Sequence, residues 1–228
     1  MTQVVQRDSD LGLRILAPVA KSHRTSRVVL LFSGLGLYGF SDGLLVRANV
    51  GLDPWDVLHQ GLSRTLGLQV GTWSIIIGAI VLLMWVPLHQ RPGVGTVCNI
   101  FVVGLAINLT LALFPAPNGL VVRYFLMVVA VGLNGVATGA YIGAGMGPGP
   151  RDGLSTGIAS RGFSMRLVRT SIELSVLALG WLLGGNVGIG TVVYALCIGP
   201  ISHLMIPALR LSEETSGSRM ASRRHRRV

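Results

Sequence analysis

Charge is what this chain has least of. Only 12% of its 228 residues are Asp, Glu, Lys or Arg, while half are hydrophobic. The apolar residues are bunched into runs long enough to cross about 30 Å of hydrocarbon, which marks an integral membrane protein. Cysteine is nearly missing as well. Cys98 and Cys197 fall in apolar runs without supporting spacing, so neither a disulfide nor a metal site is expected, and both read as small packing residues. The chain has no nucleophile elbow, HExxH, Walker loop or dinucleotide fingerprint; its Gly-Met-Gly-Pro-Gly-Pro run has no strand before it. No enzymatic activity, cofactor or metal is therefore expected, and His203 stands alone.

Six stretches have the length of a membrane span: about 28–47, 72–88, 95–114, 122–145, 167–184 and 190–209. The fold class is all-α, a polytopic membrane protein with six transmembrane helices. Residues 1–26 form a basic N-terminal tail without a signal-peptide core, 27–210 the membrane domain, and 211–228 a basic, disordered tail. The net charge of +10 sits mostly in these tails. A nucleic-acid partner is not expected, because basic flanks of a membrane domain are explained by the positive-inside rule, with both termini cytoplasmic in a multi-pass cell-membrane protein. Arg91, and the loop holding Arg151, Arg161 and Arg166, agree with that topology; Arg47, Arg64 and Arg123 are exceptions.

The chain also repeats itself. Residues 36–62 and 132–158 align at an offset of 96 with ten identities, among them Gly39/Gly135, Gly43/Gly139, Gly51/Gly147, Pro54/Pro150 and Asp56/Asp152. With one gap, Gly95-Thr96-Val97 matches Gly190-Thr191-Val192, and Gly104 matches Gly199. Each half then reads span, motif segment, span, span: repeat one over about 28–114 and repeat two over about 122–209. Three crossings per half reverse the orientation of the second, giving two inverted three-helix repeats, each with a short motif helix.

Each motif segment carries a helix start. Pro54 and Pro150 suit the first helical position, Asp53 and Gly149 the cap before it, and Asp56 and Asp152 the third position, near free amides and the positive end of the dipole. The helix after Pro54 is amphipathic, with Trp55, Leu58, Leu62 and Leu66 on one stripe; it either lies at the interface or dips in as a re-entrant half-helix. Gly39-xxx-Gly43 and Gly135-xxx-Gly139 are small-residue pairs for helix packing, and they predict contact between the first and fourth spans.

Ionisable groups at membrane depth cost about 2.5–3.5 kcal/mol each, so each needs a partner or a purpose. Glu173 either carries a proton or cation or pairs with Arg169. Asp42 either faces a cavity or contacts an arginine. Asp56 and Asp152 either serve their helix starts or line a permeation path, with Arg151 beside Asp152 as a further candidate. Asn99, Asn108, Asn134, Tyr38, Tyr141 and His203 are lesser polar candidates, more readily explained as helix-to-helix contacts.

The segment GLDPWDVLHQGLS after a glycine-rich first span, then GVGTV and GMGPGPRDGLSTG, resembles the YczE/YyaS/YitT-type group of bacterial integral membrane proteins across about 28–210. That resemblance implies a bacterial inner-membrane protein and carries no established set of site residues. The expected function is transport or facilitated passage of a small neutral or cationic solute between the inverted halves, since an aspartate at each helix start argues against a strongly anionic one. The alternative is a non-transporting scaffold or regulatory protein. The expected partners are the lipid bilayer, a small molecule or ion, and a second copy in a homodimer.

Overall fold

The computed structural model describes residues 24–211, which form eight α-helices with no strand among them. In chain order they are α1 (Arg24–Ala48), α2 (Pro54–Leu66), α3 (Val70–Leu83), α4 (Val94–Leu113), α5 (Leu120–Gly143), α6 (Pro150–Ala159), α7 (Met165–Leu182) and α8 (Ile189–Leu209). Except for residues 24–26 and 211, the two basic tails lie outside the described residues.

Helices α1, α4, α5 and α8 are long and apolar enough to cross a membrane. The other two expected spans differ. Helix α3 has 14 residues, about 21 Å at ~1.5 Å per residue, and joins α2 across a bend of 114°, so that the pair makes a fifth crossing only if taken as one broken span. Helix α7 has 18 residues but carries Arg166, Arg169 and Glu173.

Helices α1 and α5 form the centre and run antiparallel. A Cβ on Gly34 would lie 2.7 Å from the Tyr141 amide nitrogen, whereas Asp42, two turns further along α1, meets Asn134, two turns earlier on α5. The expected contact of first and fourth spans is thus present, but the four motif glycines do not make it. Gly39 faces Val103 and Ala106, and Gly43 faces Thr110, all on α4; Gly135 faces Ile201, and Gly139 faces Met205, both on α8. Every one of these would-be Cβ atoms falls within 3 Å of a neighbour, closer than a real side chain tolerates. The glycines therefore fasten each half's first span to its own third span, in parallel, and α1 meets α5 through another face.

Leucines fill the space between these helices. Leu31 and Leu35 pack with Val103, Ile107 and Tyr141, while Leu44, Leu45 and Leu52 pack with Met127, Val131 and Tyr194. The α1 start, the α5 end and the α8 end share one end of the molecule: Arg27 approaches Gly145, and the Leu211 N–H donates to the Gly143 carbonyl at 3.1 Å.

The halves also exchange helix caps. The Gly95 N–H at the start of α4 donates to the Met146 carbonyl at 2.8 Å, and the Gly190 N–H at the start of α8 donates to the Val50 carbonyl at 2.9 Å. These pairs are repeat counterparts, so a free helix-start amide of each half is satisfied by the motif loop of the other. Gly51 and Gly147 hold φ values of +117° and +123°, where an L side chain is strained, and each touches the other half's helix start. Their identity in the repeat has this physical cause.

Candidate functional site: two helix starts at a shared cavity

Both motif helices begin inside the protein. Asp53 caps α2 as expected: its Oδ1 accepts the Asp56 N–H at 2.6 Å. Its Oδ2 lies 3.6 Å from Nη1 of Arg151, the second residue of α6, and the Arg151 guanidinium stacks 5.0 Å from the centre of the Trp55 ring. The two helix starts are thereby joined by a charge pair and a cation–π contact. On the α6 side, the Tyr141 hydroxyl donates to Asp152 Oδ2 at 3.1 Å, and the Trp85 indole N–H donates to the Pro150 carbonyl at 3.0 Å. Gly153 lets α6 lie on the Trp85 ring, where a Cβ would clash at 1.8 Å.

A cavity of about 650 Å³ opens where the two starts meet, and every one of the eight helices contributes to its wall. Asp53, Arg151 and Asp152 line it, with Trp55, Tyr38 and Tyr194 as aromatic walls. Arg151 is a quarter exposed, and that exposure is into this cavity. Its place here corrects the topology reading that counted it as a loop charge. Arg47, Arg64 and Arg123, the exceptions to the positive-inside pattern, donate to the carbonyls of Leu111, Gly184 and Pro117. Two of these acceptors lie at helix C-terminal ends, where carbonyls lack helical partners.

Behind the Asp53 side of the wall lies a second layer. Asp42, fully buried on α1, accepts from Asn134 Nδ2 at 2.7 Å; Asn134 also donates to Ser41 at 3.0 Å and accepts from the Tyr194 hydroxyl at 3.0 Å. Asp42 therefore pairs with an amide, where an arginine had been the expected structural partner. Asp56 is fully buried too, 3.1 Å from His59 Nδ1, and neither Asp42 nor Asp56 lines the cavity. Instead, Asp42, Asp53 and Asp56 each bring an oxygen within 4.8 Å of the others. Two charges at that separation repel by about 3 kcal/mol at an effective dielectric of ~20.

Glu173 pairs with Arg169 at 2.9 Å, and both side chains are substantially exposed, on the cavity's rim. Asn99 and His203 also line the cavity, while Asn108 lies between α3 and α4. The acidic cluster was missed from sequence. Asp53, Asp56 and His59 recur every third residue, a spacing that gathers side chains near one face of a helix and gave a usable signal. Asp42 joins them only because the chain doubles back through 49–53 after α1.

Four helices long and apolar enough to cross a bilayer, packed together through glycines, define a helical membrane protein. The chain belongs to a family of unknown function, DUF6198, whose profile matches residues 25–207. It is 41% identical over 179 residues to a Haemophilus influenzae protein called "Uncharacterized protein", covering 78% of this chain and 82% of that one. It is 33% identical over 191 residues to the Bacillus subtilis "Uncharacterized membrane protein YczE", covering 82% and 88%. The Bacillus subtilis "Uncharacterized protein YyaS" is 28% identical over 186 residues, covering 78% and 92%. No solved structure matches.

Proposed function

We propose that this protein is a transporter or facilitator for a small neutral or cationic solute in the bacterial inner membrane, with the cavity between α2 and α6 as its central site. The observation that carries this reading is the meeting of two helix starts at a cavity of about 650 Å³ lined by all eight described helices. Two inverted three-helix repeats account for the antiparallel α1 and α5 and for the exchanged caps at Gly95 and Gly190. In that arrangement α2 and α6 are re-entrant, and both termini lie on the cytoplasmic face, in keeping with the shared end of α1, α5 and α8. Sequence-equivalent Asp56 and Asp152 play unequal parts: Asp152 faces the path, and Asp56 supports Asp53 from behind.

The wall favours neutral and cationic solutes on charge. Asp53, Asp152 and Glu173 outnumber Arg151 and Arg169, and the aspartates offset the positive ends of both helix dipoles. A non-transporting scaffold required a closed interface between the halves, and a cavity this large tells against it. The test is uptake of a panel of small neutral and cationic solutes into proteoliposomes, comparing the native chain with Ala195→Trp. Ala195 lines the cavity from α8, so a tryptophan there should abolish uptake while the protein still folds. Absence of uptake across the panel by the native chain would sink the transport reading.

A further inference from the structure

We infer that Asp42, Asp53 and Asp56 form a binding site for a hard metal cation of calcium or sodium size. These carboxylates come from two segments: Asp42 from the interior of α1, and Asp53 and Asp56 from the cap and first turn of α2. They nevertheless bring one oxygen each within 4.8 Å of the others. A calcium ion sits about 2.3–2.6 Å from each oxygen, so one ion spans a group of that size, whereas magnesium, at about 2.0–2.1 Å, demands a tighter cage.

The second observation is a pair of orphaned atoms. Oδ2 of Asp42 and Oδ2 of Asp56 are buried and accept no hydrogen bond, although both residues are 0% exposed. Buried carboxylate oxygens are ordinarily satisfied by donors, and a group left without one calls for an unseen ion or water. The donors that do reach these carboxylates serve other oxygens. Asn134 serves Asp42 Oδ1, His59 faces Asp56 Oδ1, and the Asp56 amide serves Asp53 Oδ1.

Charge leads the same way. If all three carboxylates are ionised, the one guanidinium beside them, Arg151, leaves two negative charges to be balanced in a water-poor interior. A divalent cation cancels them; sodium cancels one, with the α2 dipole offsetting part of the rest. Donor type excludes softer metals, since the set is all oxygen with a single imidazole beside it and no thiolate. Asp53 and His59 line the cavity, which gives the ion an entrance. The site stands whether or not the protein transports anything.

The experiment uses the full chain in detergent, stripped with chelator and held in choline chloride. Terbium(III), a hard ion of calcium size, should emit when Trp55, next to Asp56 in the chain, is excited. Calcium or sodium chloride should compete the emission away and raise the melting temperature, and the more effective salt identifies the ion. Asp42→Asn and Asp56→Asn each remove one oxygen donor, so binding should weaken at least about tenfold. Because the amides also relieve repulsion, the ion-free variants should melt no lower than the ion-free native protein. The site would be overturned by no response to any of the three ions, or by a melting temperature that follows pH alone, which would assign the surplus charge to protons. Unchanged ion responses in both variants would do so equally.

Discussion

Helices α3 and α4 lock together, whereas their repeat counterparts α7 and α8 stand apart. In the first seam a Cβ on Gly71 would lie 2.0 Å from the Gly104 carbonyl, and Asn108 accepts the Gly71 N–H at 2.8 Å and donates to Thr72 at 3.1 Å. In the second seam Leu167 replaces Gly71 and His203 replaces Asn108 at the matching positions, and a Cβ on Gly199 would meet nothing within 4 Å. Helix α8 accordingly leaves nearly all of its apolar length uncovered by protein, whereas α1 is half covered. The cavity wall runs along this parted seam, from Arg169 and Glu173 on α7 to Ser202 and His203 on α8. A few side chains at matching sequence positions thus separate the closed seam from the parted one.

Substituting both members of a glycine pair tests the comparison most severely. Gly104→Leu should cost about 3 kcal/mol or more through overpacking against Gly71 and Ile75, while Gly199→Leu should cost none, both read by thermal unfolding in detergent. Equal losses would mean that the second seam is closed. A smaller contrast comes from the polar pair. Asn108→Ala strands the Gly71 amide at a cost of about 1–2 kcal/mol, whereas His203→Ala should change stability by no more than about 0.5 kcal/mol. Smallest of all is Glu173→Gln. Its exposed pair with Arg169 should be worth under about 1 kcal/mol, so unchanged stability with altered solute uptake would tie the parted seam to the proposed transport.

Much of the frame was legible. The 96-residue offset located both helix starts, Asp53 was read as a cap, and the Gly95 and Gly190 triplets proved to be the places where the halves meet. Periodicity and capping chemistry are local, so they survive in a linear string. The packing glycines were found but assigned to the wrong neighbour, because a small-residue pair shows that a helix comes close without saying which. Arg151 was counted as a loop charge as well as a pathway candidate, and Asp42 was given a cavity or an arginine in place of Asn134, for a related reason: both act across distances of roughly ninety residues or more, where sequence spacing carries no signal.

Hydrophobic run length, scarcity of charge and a duplicated Pro-x-Asp start determined, without coordinates, that this chain is a helical membrane protein with two matched motif helices. Those properties depend on each residue's preference for lipid, water or a helix terminus, and neighbours in sequence suffice to express it. Only the tertiary structure decided that three aspartates share one buried point, that Arg151 faces Asp53, and that one seam shut while the other parted. Each of these arises where non-adjacent helices cross, and a crossing is set by the mutual fit of surfaces that no single segment contains.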